Sequence, residues 1–95
     1  MAPKVQDKEQ IFFNERVWLN SKTSASTGSI VCFDGILNSW DGMYRSMFVE
    51  IGDCKGKVRL HNSYTETKEE FIDKLEYLAE TLKTFINHLK EDKHD

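Results

Sequence analysis

Apolar and polar residues alternate through residues 11–20, IFFNERVWLN, which places Ile11, Phe13, Val17 and Leu19 on one side and Phe12, Asn14, Arg16 and Trp18 on the other. That two-residue period predicts a β-strand. The Ser/Thr-rich, aperiodic stretch 21–28 reads as a mobile loop, and residues 29–38 form the next strand. Asn38-Ser39-Trp40-Asp41-Gly42 is a turn, because Asp-Gly tolerates the positive φ that tight hairpins require. The chain returns through 43–53, turns again at Cys54-Lys55-Gly56 and ends the meander with a short strand over 57–62.

The period then changes. Phe71, Leu75, Leu78, Leu82, Phe85 and Leu89 recur at alternating spacings of four and three, flanked on one side by Ile72, Ala79 and Ile86. This is one apolar stripe of an α-helix. Thr67 and Glu70 form a capping box at its start, each side chain satisfying a backbone N–H of the first turn. The helix covers residues 67–91, and at 1.5 Å per residue about 24 residues span roughly 36 Å. A strict stripe of this kind also suits a coiled-coil seam, but fewer than three heptads is short for one. Packing on the chain's own sheet is the main expectation. The fold class is therefore α+β: a four-stranded antiparallel meander sheet over 11–62, followed by one long C-terminal amphipathic helix. Residues 1–10, polar with one Pro, are expected to be a flexible arm outside this single domain at 11–95.

A chain of 95 residues buries only about 60 to 65% of its unfolded surface, which makes self-association a realistic source of stability. With 39% hydrophobic and 12% aromatic residues it carries enough apolar surface to fold. The net charge of −3 is uneven. Residues 1–64 hold 8 Lys/Arg against 7 Asp/Glu, whereas residues 65–95 hold 5 against 9. A sequence pI near 5.6 argues against indiscriminate coating of DNA. No apolar run approaches the roughly 20 residues needed to span a bilayer, and the N-terminus lacks the apolar segment of a signal peptide. Cys32 and Cys54 are 22 apart with no CxxC pair, so free thiols and a cytoplasmic location are expected.

Catalytic signatures are absent from the sequence: no GxSxG, no Gly-rich phosphate loop before a helix, no HExxH. The expectation is a protein without enzymatic activity, cofactor or metal. Cys32, Cys54 and His61 could be imagined around zinc, but structural sites usually show tight ligand pairs, and these three are scattered. His88 and His94 sit near the helix end, where the helix dipole favours a cation. Asp34, Glu50 and Asp53 lie in or beside strands and are more often solvated or turn-capping than catalytic.

Two features stand out. Both faces of the sheet are apolar: Val31, Phe33 and Leu37 alternate with Ile30, Cys32 and Ile36, and Tyr44 and Phe48 alternate with Met43, Met47, Val49 and Ile51. Monomers rarely leave large apolar patches bare. A homo-oligomer, with a dimer favoured, is therefore expected, its interface at Phe12, Trp18, Phe33 and Phe48; the bland alternative is a sheet curled around its own helix. The second feature is basic. Lys57, Arg59 and His61 alternate onto one side of the last strand, with Arg16 or Arg45 nearby and Trp18, Tyr44 or Phe48 beside them. Phosphate contacts combined with base stacking are how single strands and nucleotides are held. The plain alternative is edge protection against aggregation. Trp40, in a turn, is a further candidate anchor unless it packs back across its hairpin.

Four strands followed by one helix resembles, as architecture alone, the Whirly fold and a single-strand-binding coactivator fold, in which dimerisation and an aromatic-basic sheet surface do the work; architecture by itself does not carry function. The leading expectation is a small non-enzymatic binding or inhibitory module that acts as a homo-oligomer on a macromolecular partner. The alternative is a single-stranded nucleic-acid or nucleotide binder using Arg16, Trp18, Arg45, Lys57 and Arg59, with a small enzyme of unrecognised site third.

Overall fold

The computed structural model describes residues 8–20, 27–63 and 65–92. In chain order these form β1 (Gln10–Trp18), β2 (Ser29–Ser39), β3 (Gly42–Asp53), β4 (Gly56–His61) and α1 (Lys68–Glu91). The strands make one sheet in the order β1-β2-β3-β4, antiparallel throughout. This is the α+β layout the pattern predicts. The arm expected over 1–10 lies outside the described residues up to residue 7, as do most of the loop expected over 21–28 and His94. The chain divides after Asn62 into two compact units, the sheet and the helix.

The hairpin turns follow from local chemistry. Gly42 and Gly56 hold φ of +125 and +156, where a Cβ is disfavoured. Ser39 Oγ donates to Asp41 Oδ1 at 2.7 Å, and Lys55 N donates to Asp53 Oδ1 at 2.8 Å, so each turn satisfies its own polar groups. Asn62 ties β3 beyond the end of β4: Met47 N donates to its Oδ1 at 2.9 Å, and its Nδ2 donates to Arg45 O at 3.2 Å.

Directly opposed residues share a sheet face, so the register sorts the side chains. One face carries Ile30, Cys32, Asp34 and Ile36 of β2 beside Arg45, Met47, Val49 and Ile51 of β3. The other carries Val31, Phe33 and Leu37 beside Tyr44, Phe48 and Glu50. β1 departs from simple alternation. Ile11 opposes Gly35 and Phe13 opposes Asp34, leaving Phe12 as an extra residue in a β-bulge. A Cβ on Gly35 would stand 2.6 Å from Gln10 O and 2.9 Å from Phe33 Cζ, so the glycine admits the close passage of β1. The bulge corrects the expected partition: Phe12 leaves the side of Trp18, and Ile11 leaves the side of Phe13. The Arg45 guanidinium stands 5.2 Å from the Phe12 ring, which places that ring on the Met47 face.

Met47 and Val49, on the same face of β3, and Phe71 of α1 are the buried hydrophobic residues among those described. Every residue of β1 is exposed. The helix opens with the capping box expected: Glu70 N donates to Thr67 Oγ1 at 3.1 Å, and Thr67 N donates to Glu70 Oε1 at 2.9 Å. Lys74 Nζ pairs with Glu66 at 3.0 Å. Phe71 is buried and Leu75 and Leu78 are half-buried, but every residue from 79 to 92 is exposed.

Candidate functional site

The Trp18 face of the sheet collects most of the candidates. Its rows run across all four strands: Trp18, Ser29, Gly52 and Lys57; then Arg16, Val31, Glu50 and Arg59; then Asn14, Phe33, Phe48 and His61. Leu37 and Tyr44 form a further row beyond these. Antiparallel pairing thus brings together Arg16, Trp18, Phe33, Tyr44, Phe48, Lys57 and Arg59, which lie far apart in sequence.

The surface is built in layers. Phe33 and Phe48 stack with ring centroids 5.0 Å apart and planes 12° apart. The Arg59 guanidinium sits 3.8 Å from the Phe48 centroid and donates from Nη2 to Glu50 Oε2 at 3.0 Å and from Nε at 3.2 Å. Glu50 orients that arginine over the ring. Arg16 lies 5.3 Å from the Trp18 ring, within cation–π range. Trp18 stays 61% exposed, so its indole offers a wide apolar plane beside fixed positive charge. Three cations, Arg16, Lys57 and Arg59, face one acid, Glu50, so this face is locally positive on a chain whose net charge is −3. Gly52, beside Lys57, carries no side chain, and a shallow depression of about 590 Å³ opens at that end of the sheet between Leu19, Gly28, Gly52, Lys55 and Lys57.

Two expected members fall elsewhere. Arg45 is on the Met47 face, where it grips Asp34 through two bonds, Nε to Oδ1 at 2.5 Å and Nη2 to Oδ2 at 2.8 Å. The hydrogen bond to Asp34, reinforced by its charge, raises the Arg45 guanidinium above its already high ordinary value. Arg45 is thus committed to a structural pair away from the aromatic-basic rows. Trp40 sits in the β2–β3 turn, is 98% exposed and does not pack back across its hairpin.

No family model, curated protein or solved structure matches the chain.

The scattered acids do not converge. Asp34 bonds Arg45, Glu50 bonds Arg59 on the opposite face, and Asp53 accepts from a turn amide. The imagined zinc ligands are equally separate: Cys32 stands in the row of Val49, His61 in the row of Phe48 on the other face, and Cys54 in the exposed β3–β4 turn. No helix among the described residues is long and apolar enough to cross a membrane.

Sequence reasoning missed two features. Arg59 and Phe48 are a stacked pair, for which the only signal is Arg59 opposing Glu50, one diagonal step from Phe48. The second is the exposure of Leu82, Phe85, Ile86 and Leu89 on α1, where packing on the chain's own sheet was the main expectation and the four-three spacing, equally suited to a coiled-coil seam, was the available signal.

Proposed function

We propose that the chain is a non-enzymatic binding module that works as a homo-oligomer in the cytoplasm and presents the Trp18 face of its sheet to single-stranded nucleic acid. The observation that carries this reading is the layered aromatic-basic surface: an open Trp18 indole and Tyr44, with the Arg59-capped Phe48 and Phe33 pair between them and Arg16 and Lys57 flanking. Bases stack on aromatic or guanidinium planes while cations contact phosphates, and neither contact requires a particular base. Two free cysteines suit a reducing compartment.

The test is fluorescence anisotropy with a labelled oligothymidylate of about 20 nucleotides, longer than one small-domain site. Three phosphate contacts predict a log–log salt slope of about −2, or about twentyfold weaker binding between 50 and 200 mM salt. Replacing Lys57 and Arg59 with Ala should flatten that slope, and Trp18→Ala should cost at least about fivefold in affinity. Absence of binding at low salt sinks the nucleic-acid reading.

A second reading rests on Trp40. An indole almost wholly in water at a hairpin tip is the kind of anchor that protein interfaces bury at their centre. A binding or inhibitory module would then engage a protein partner through this tip.

A further inference from the structure

The apolar stripe of α1 is uncovered over its second half. Leu82, Phe85, Ile86 and Leu89 leave 47, 55, 47 and 53% of their surfaces in water. They follow Leu78 on one side of the helix, and the stripe positions 75, 78, 79, 82, 85, 86 and 89 carry no charge. A solvated helix end places charged residues at such positions; a helix that meets another helix does not.

We infer that this half of α1 is the seam of a homodimer in which two copies cross antiparallel. The inference rests on the homo-oligomeric part of the function proposed above and specifies where the contact lies. It assigns the seam to residues outside the interface expected from the sequence, and leaves the Trp18 face free for ligand.

Three observations support a second copy as the occupant. The first is register. In an antiparallel pair the stripe interlocks as four layers, Leu78 on Leu89 of the other copy and Leu82 on Phe85, each occurring twice by symmetry. The second is charge. That register sets Glu76 of each copy beside Lys90 of the other, two attractive pairs against the one like pair of Lys83 with Lys83 at the two-fold axis. The helix as a whole is acidic over residues 69–80, with five acids against Lys74, and turns basic at Lys83 and Lys90. A parallel pair would align the two macrodipoles unfavourably. The third is area. Four side chains half in water, one of them an aromatic of about 150–250 Å², expose on the order of 400 Å² per copy. With Leu78, Ala79 and the stems of neighbouring side chains, the pair clears the roughly 1,000 Å² total that marks a specific interface.

The decisive measurement is mass by light scattering coupled to size exclusion, on the intact chain, from micromolar to hundreds of micromolar. The chain should elute at twice 11.1 kDa. Leu82→Glu with Phe85→Glu should give a monomer with unchanged far-ultraviolet helicity, whereas Trp18→Asp should remain a dimer. A wild-type monomer at every concentration overturns the seam, as does a dimer that survives the helix substitutions or is broken by Trp18→Asp. Orientation has its own test, since residues 76 and 90 lie too far apart on one helix to touch. Glu76→Lys and Lys90→Glu should each weaken the dimer about two- to tenfold, and the double exchange should restore it. Failure of the double exchange to restore dimerisation overturns the antiparallel arrangement. Nucleic-acid binding is read separately by anisotropy: a dimer that binds no oligothymidylate removes the ligand and keeps the seam, and a monomer that binds it does the reverse.

Discussion

Arg59 holds its guanidinium 3.8 Å from the ring centroid of Phe48, one diagonal step across the β3–β4 ladder. The same guanidinium is anchored by Glu50, so the cation stays over the aromatic plane with its outer surface turned to solvent. A side chain fixed in this way stacks on an incoming base without first losing rotamer freedom, which is the advantage of preorganisation.

Arg59→Lys should therefore be a damaging exchange even though it keeps the charge. Lysine has no planar fork to bond Glu50 and stack on Phe48 together. The pair is half-exposed, so the loss of stability should be modest, about 1 kcal/mol, or a fall of roughly 4–8 °C in the thermal midpoint of a chain this small. An unchanged midpoint would show that the stack contributes nothing to the folded sheet.

Gly35 controls how β1 joins the sheet. Gly35→Ala puts a methyl group 2.6 Å from Gln10 O and 2.9 Å from Phe33 Cζ, and a backbone carbonyl cannot swing aside as a side-chain tip can. The expected loss is about 1–3 kcal/mol by urea denaturation. Gly42→Ala is the useful contrast. Nothing stands within 4 Å of its added Cβ, and only the positive φ of +125 opposes it, at a cost of about 1 kcal/mol. Equal costs at the two positions would mean that β1 is not held against Gly35.

This glycine also explains where sequence reading stopped. The periods of two and of four-three, the Asp-Gly turn and the Thr67/Glu70 capping box are local signals, and each of the elements they predict is present. A bulge is not local. Phe12 and Phe13 alternate normally in sequence, and only the pairing of Ile11 with Gly35 shows that Phe12 is the extra residue. Arg45 is a similar case, because its face depends on register with β2, and its partner Asp34 lies 11 residues away. Alternation along β4 did show that Lys57 and Arg59 share a side, so that part of the candidate surface was legible before the sheet was assembled. For α1 the apolar stripe was legible and its coverage was not, because one periodicity serves both a core and an interface.

The two tryptophans separate the two functional readings within one experiment. Trp40, 98% exposed, makes no packing contribution to the sheet, so Trp40→Phe should leave the unfolding free energy within about 0.5 kcal/mol of the original and give a protein whose only indole is Trp18. Trp18→Phe gives the converse protein. A single strand that stacks on the Trp18 face should quench the first variant and leave the second nearly unchanged, since the β2–β3 turn lies away from the row of Trp18, Ser29, Gly52 and Lys57. A protein partner that buries the turn should instead shift the emission of the second variant to the blue and spare the first. Oligothymidylate that quenched Trp40 alone would place the nucleic acid at the hairpin tip, and the aromatic-basic rows would lose their assigned ligand.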